Sequence, residues 1–333
     1  MQDIAKNNFD FLRVLLAFIV FVGHLGGLSA VPELKILEHS PVELAVYGFF
    51  IVSGFLIGRS YERTTTFKRY LKKRFNRIFP AYFLVICLST VFLSLVSTLP
   101  ISEYFTRPQT YKYFFWNSIF LNFKAPYLPG VFGNQAVNGA LWTLKVEVAF
   151  YLVVPLIFLL FGKNNRFRNL SLIVLYFLSI TFLNYCELSG QIKLTKQLPS
   201  TLCYFIGGML VYFNFEKFIQ KKHLLFIIAV LTVWLDYYVG KTFLGNKSLV
   251  FLSPMMMSII VLYFVYSFKY LNNFGKYGDF TYGIYIFHFP IIRTFQTLGL
   301  FENYNPWVMA VLCLLVVCTV GILSWNYFEK RFL

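Results

Sequence analysis

The run FDFLRVLLAFIVFVGHLGGL, Phe9 to Leu28, decides what kind of fold this chain can adopt. Twenty helical residues extend about 30 Å, the thickness of a bilayer's hydrocarbon core. Two residues are out of place in such a run, Arg13 and His24. They are eleven positions apart, and eleven steps of about 100° return to within about 20° of the start. Both side chains therefore share one helix face, roughly 16 Å apart along the axis. Ionisable side chains inside a span turn away from lipid and are functional candidates by default. The run is too long for a cleaved leader, and it carries the Arg13–His24 pair, so it reads as a retained first span. Two readings of the pair stand side by side. In one, Arg13 snorkels to the inner interface and His24 bonds a neighbouring helix. In the other, His24 is a general base, because imidazole changes charge near neutral pH.

Composition extends the membrane reading to the whole chain. Of 333 residues, 58% are hydrophobic and only 13% charged, against about 25% charged in soluble domains. The net charge of +16 does not call for a nucleic-acid partner. In a membrane protein, basic residues gather in cytoplasmic loops and meet lipid headgroups. The five cysteines, Cys87, Cys186, Cys203, Cys313 and Cys318, lack CxxC or metal-ligand spacing. They read as small core residues, with no metal and no permanently bound cofactor expected.

Ten stretches qualify as spans: 9–28, 43–60, 79–98, 141–161, 168–185, 199–215, 223–239, 248–268, 279–299 and 306–327. The predicted fold is therefore an all-α transmembrane bundle of about ten helices forming one domain, 1–333. With the N-terminus in the cytoplasm, and with Arg59 and Arg168 at span ends counted with the loops they adjoin, 19 of the 30 Lys and Arg fall in cytoplasmic segments, 8 in outer ones and 3 inside spans. That bias predicts both termini in the cytoplasm. The apolar piece 113–123 is too short to span. It belongs to the longest connection, 99–140, a proline-containing loop on the outer side that is long enough to cover a site. No internal repeat of the transporter type is visible.

Other polar residues join the first-span pair. The loop 59–77 carries Arg59, Arg63, Lys68, Arg69, Lys72, Lys73, Arg74 and Arg77 against one acid, Glu62. It reads first as a positive anchor on anionic lipid. Arg74 and Arg77, three apart at a membrane entry, would also make a phosphate clamp for a nucleotide or coenzyme A. In the second span, Gly54 and Gly58 form a small-xxx-small surface and Ser53 reads as structural. Glu147 lies about two turns inside the fourth span and needs a partner. His24, at similar depth, is one candidate; Arg293 and Lys145 are the others. His288, two residues before Pro290, reads slightly better as a histidine satisfied by the proline's local break than as a catalyst.

Taken in order, these stretches resemble the integral-membrane acyltransferase-3 family. The matching residues are Asp10-x-x-Arg13 with Arg13-x10-His24; Phe49-Phe50-x-x-Ser53-Gly54-Phe55; Arg74-x-x-Arg77-Ile78-x-Pro80; Trp142-Thr143-Leu144-x-x-Glu147 with Phe150-Tyr151 and Pro155; Tyr282-x-x-Tyr285-x-x-His288-x-Pro290; and Ser324 with Glu329. The chain departs from the family at Val14, at Thr281 and at Lys330-Arg331. The resemblance implies a bacterial inner-membrane enzyme moving an acyl group, usually acetyl, from acetyl-CoA as co-substrate to a hydroxyl of a surface carbohydrate, free or lipid-linked. It implies that Arg13 and His24 are essential and that Arg74 and Arg77 hold the donor. Glu147 would orient the imidazole or bind sugar. Asp10, Ser53, Trp142, Tyr282 and His288 are supporting or acceptor-binding candidates, and Trp116 and Trp142 could stack on sugar rings. His24 serves as base or as acyl carrier; both stay open. The rival readings are a proton-coupled transporter or flippase, and a lipid-linked glycosyltransferase.

Overall fold

The computed structural model describes residues 6–161, 165–242, 251–268, 271–272 and 274–333. Among them every regular element is helical. The α-helices are α1 (Phe9–Leu28), α2 (Val42–Glu62), α3 (Phe67–Phe92), α4 (Ile101–Thr106), α5 (Pro108–Ser118), α6 (Trp142–Phe161), α7 (Asn165–Leu188), α8 (Ile192–Thr195), α9 (Leu198–Phe213), α10 (Phe215–Thr242), α11 (Ser253–Ser267), α12 (Thr281–Thr297), α13 (Leu300–Asn303) and α14 (Pro306–Tyr327). The protein is an all-α polytopic membrane protein. Each of the ten predicted spans falls on a helix, although residues 248–250 of the eighth lie outside the described residues. Among the described residues, seven helices are long and apolar enough to cross a bilayer. The other three, α9, α11 and α12, have 16, 15 and 17 residues. Eleven residues of α9 are buried, as expected of a helix that is apolar all round and packs inside protein.

Two expectations need correction. The third helix begins at Phe67 rather than at 79. Its first half, FKRYLKKRFNR, favours helix but is too basic to register as apolar. Arg74 and Arg77 are therefore helical, not part of a loop. The connection 99–140 is not structureless either. It contains α4, α5 and short 3₁₀ turns, and it buries Tyr104, Tyr113, Leu128, Val131 and Val137.

The chain divides into two compact units. The first comprises residues 1–12, 46–71 and 146–274. In it α2 packs on α9 without side chains between the backbones: a Cβ on Gly54 would sit 1.9 Å from the Phe205 carbonyl oxygen. Pro155 cannot donate to the Tyr151 carbonyl four residues back. The Tyr70 hydroxyl donates to that oxygen instead, at 3.1 Å.

The second unit comprises residues 13–45, 72–145 and 275–333. Here α12 and α14 run antiparallel and touch backbone to backbone, with a Cβ on Gly283 falling 2.9 Å from Gly321 Cα. In contrast, α1 and α12 run in the same direction, because Arg13 meets Asp279 and, further along both, His24 meets His288. Two helices pointing the same way require an odd number of crossings between them. The seven predicted spans from the second to the eighth satisfy that count. With α14 returning antiparallel, the start of α1 and the C-terminal end of α14 lie on one side of this unit.

Candidate active site

The second unit brings together residues far apart in sequence. At one end, Arg77 on α3 and Arg13 on α1 both donate to Oδ2 of Asp279, in the segment leading into α12; the Arg13 Nη1 distance is 3.1 Å. The three side chains retain only 20–22% exposure, so their charges are largely removed from water and depend on one another. One residue beyond Arg77, the Ile78 carbonyl accepts the Tyr282 hydroxyl at 3.0 Å, which pins α12 to α3 beside the ion pairs. Buried Glu329 accepts from Ser324 at 2.7 Å. Arg74, one turn before Arg77 on α3, is half-buried. Asp279 is the residue that sequence reasoning missed. Its signal was an acid at the very start of a predicted span, where a carboxylate needs a cation.

At the other end, His24 Nδ1 and His288 Nε2 are 2.8 Å apart. The ring planes differ by 12°, with centroids 5.0 Å apart. That separation is the N···N distance plus one ring radius on each side, so the imidazoles meet edge to edge in a well-aligned hydrogen bond. Nδ1 of His288 lies 2.6 Å from the Tyr285 carbonyl oxygen. Tyr285 is held in turn by a 2.8 Å bond between its hydroxyl and Thr143. Phe289 packs edge-on against His24, with centroids 5.4 Å apart. His288 is fully buried, whereas His24 is only half-buried.

The proline break does not satisfy His288 in the way the sequence implied. Pro290 frees the Ile286 carbonyl, and that oxygen is taken by the side-chain amide of Asn138, at 2.8 Å. His288 uses the carbonyl of Tyr285 and the ring of His24.

Glu147 lies in the first unit, on α6. Its Oε1 accepts from Ser53 at 3.2 Å and from Tyr151 at 2.8 Å. Ser53 thus has a carboxylate partner, which its sequence neighbours did not reveal. The other two cations considered for Glu147 lie against aromatic rings of the second unit, Lys145 over Phe123 and Arg293 over Phe289. Asp10 is in the first turn of α1, Trp142 opens α6, and Trp116 on α5 is capped by the Lys124 ammonium 4.0 Å from its ring centre.

In a multi-pass helical protein, shared arginine–aspartate pairs at one end of a unit and a histidine pair at the other mark a candidate functional site. Comparison with known proteins makes the class specific: the chain belongs to the acyltransferase-3 family, whose model, described as an acyltransferase domain, matches residues 6–325. It is 25% identical to nodulation protein 10 of Rhizobium leguminosarum bv. viciae over 98% of this chain and 92% of that protein. It is 26% identical to the O-acetyl transferase of Shigella phage Sf6 over 98% and 96%. A putative peptidoglycan O-acetyltransferase of Bacillus subtilis is 25% identical over 85% of this chain and 49% of its own length. No solved structure matches. Family and relatives together support an acyltransferase built from membrane helices.

Proposed function

We propose that the protein transfers an acetyl group from acetyl-CoA to a hydroxyl of a bacterial surface carbohydrate, working in the cytoplasmic (inner) membrane. The observation that carries this reading is the α1 face. It holds a guanidinium and an imidazole roughly 16 Å apart, each gripped by a residue in or just before α12. The arginine end, with Arg74 and Arg77 on the neighbouring helix, suits the phosphates of coenzyme A. The pantetheine arm then runs along the Arg13 face and brings its thioester to His24.

His24 takes the proton of the acceptor hydroxyl as the oxygen attacks the thioester carbonyl. The C–S bond breaks, and the coenzyme A thiolate leaves with the proton returned by His24. The peptidoglycan named for the Bacillus subtilis relative supports a carbohydrate acceptor.

The test is purified protein incubated with labelled acetyl-CoA and a glycan acceptor. Label should reach the glycan, and His24→Ala should abolish transfer while the protein still inserts and accumulates. Arg74→Ala with Arg77→Ala should raise the apparent KM for acetyl-CoA. Full activity in His24→Ala would sink the mechanism. No consumption of acetyl-CoA under any condition would favour transport.

A further inference from the structure

We propose that His288 is a positioning residue that fixes the proton of His24 on Nδ1 and so puts the lone pair on Nε2. The inference follows from which atoms can donate. The Tyr285 carbonyl has no hydrogen, so the 2.6 Å contact with His288 Nδ1 requires the proton on that nitrogen. His288 is fully buried, and an isolated imidazolium is costly to bury. It is neutral, with one N–H, and its Nε2 is therefore an acceptor. The 2.8 Å bond between the rings then has one donor available, His24 Nδ1–H. A neutral His24 protonated there carries its lone pair on Nε2. The order is Tyr285 carbonyl, His288, His24, then lone pair, with each link setting the tautomer of the next.

The rest of the unit keeps this chain in register. Thr143 holds the Tyr285 side chain, and Asn138 takes the carbonyl that Pro290 frees one residue beyond Tyr285. Phe289 covers the edge of both imidazoles. His288 itself, being inaccessible, need not touch a substrate. It acts through His24, which is half-buried.

The proposal rests on His24 being the base, but its first test does not. In full-length protein labelled with [15N]histidine, the two ring nitrogens of a neutral imidazole have well-separated shifts according to which carries hydrogen. Wild-type His24, assigned by its loss in His24→Ala, should be the Nδ1–H form. His288→Leu should lose that form and relax towards the Nε2–H tautomer that free imidazoles prefer. His288→Gln, whose side-chain oxygen can accept from Nδ1–H, should keep it.

In acetyl transfer, His288→Leu should lower kcat by about 100-fold, the scale of a misplaced general base, with the KM for acetyl-CoA within about twofold of wild type. His288→Gln should recover at least tenfold over His288→Leu. An Nε2–H form of His24 in the wild-type protein would overturn the proposal, as would unchanged kcat in His288→Leu. If His288→Leu does not accumulate, the wild-type spectrum and the Gln variant still decide. Transfer that survives in His24→Ala refutes the catalytic reading and leaves the tautomer assignment to its own measurement.

Discussion

Removing Asp279 should test whether the arginine end of the site is held together by one carboxylate. In Asp279→Ala, two guanidiniums lose their shared partner and face each other across the gap. Hydrogen bonds to charged groups contribute about 1.5–3 kcal/mol each, and stripping one partner from a buried pair costs about 3–5 kcal/mol. Arg13, Arg77 and Asp279 keep 20–22% of their exposure, so water recovers part of the loss. The expected destabilisation is about 2–4 kcal/mol. Asp279→Asn keeps the shape and an acceptor oxygen but not the charge, and should cost about 1–2 kcal/mol.

The assay is equilibrium unfolding of purified protein in mild detergent, arranged as double-mutant cycles of Asp279→Asn with Arg13→Gln and with Arg77→Gln. Each cycle should return a coupling of about 1 kcal/mol or more. The Glu103–Arg107 pair is the internal control. Its side chains are 40% and 54% exposed, so its coupling should be about 0.3–0.5 kcal/mol. If Asp279→Ala changes stability by less than about 0.5 kcal/mol, or couples no more than the control, the carboxylate is not what holds the two arginines.

Two further perturbations probe packing, one within each unit. Gly54→Ala would drive a methyl into the Phe205 carbonyl and should destabilise by about 1–3 kcal/mol. Gly58→Ala, whose new atom would meet its nearest neighbour at 3.4 Å, should stay within about 0.5 kcal/mol in the same unfolding measurement; equal costs would refute close packing at Gly54. Asn138→Leu strands the Ile286 carbonyl and should cost about 1–3 kcal/mol. Adding Pro290→Ala should recover much of that, because position 290 regains an N–H for the same oxygen; no recovery would mean that Asn138 matters for another reason.

Local regularities carried much of the reading. A 20-residue apolar period defines α1 with the same ends in sequence and structure, Phe9 and Leu28, because bilayer thickness and helix rise act on contiguous residues. The same arithmetic put Arg13 and His24 on one face before any partner was known. Apolarity failed where helix and bilayer part company. The first half of α3 is helical but basic, so its start lay outside any hydropathy window. The elements of 99–140 were hidden because short helices carry too weak a period.

The sequence by itself determined that this chain spans a membrane with buried ionisable residues, and which of them are candidates for acyl transfer. Tertiary structure alone decided how they pair. Arg13 and Asp279 are 266 positions apart, His24 and His288 are 264, and Ser53 and Glu147 are 94. Helical periodicity states which residues share a face, but it carries no record of which other helix that face will meet. That choice is made by close backbone approach, as at Gly283 and Gly321, and by the need of each buried charge or imidazole to find a partner.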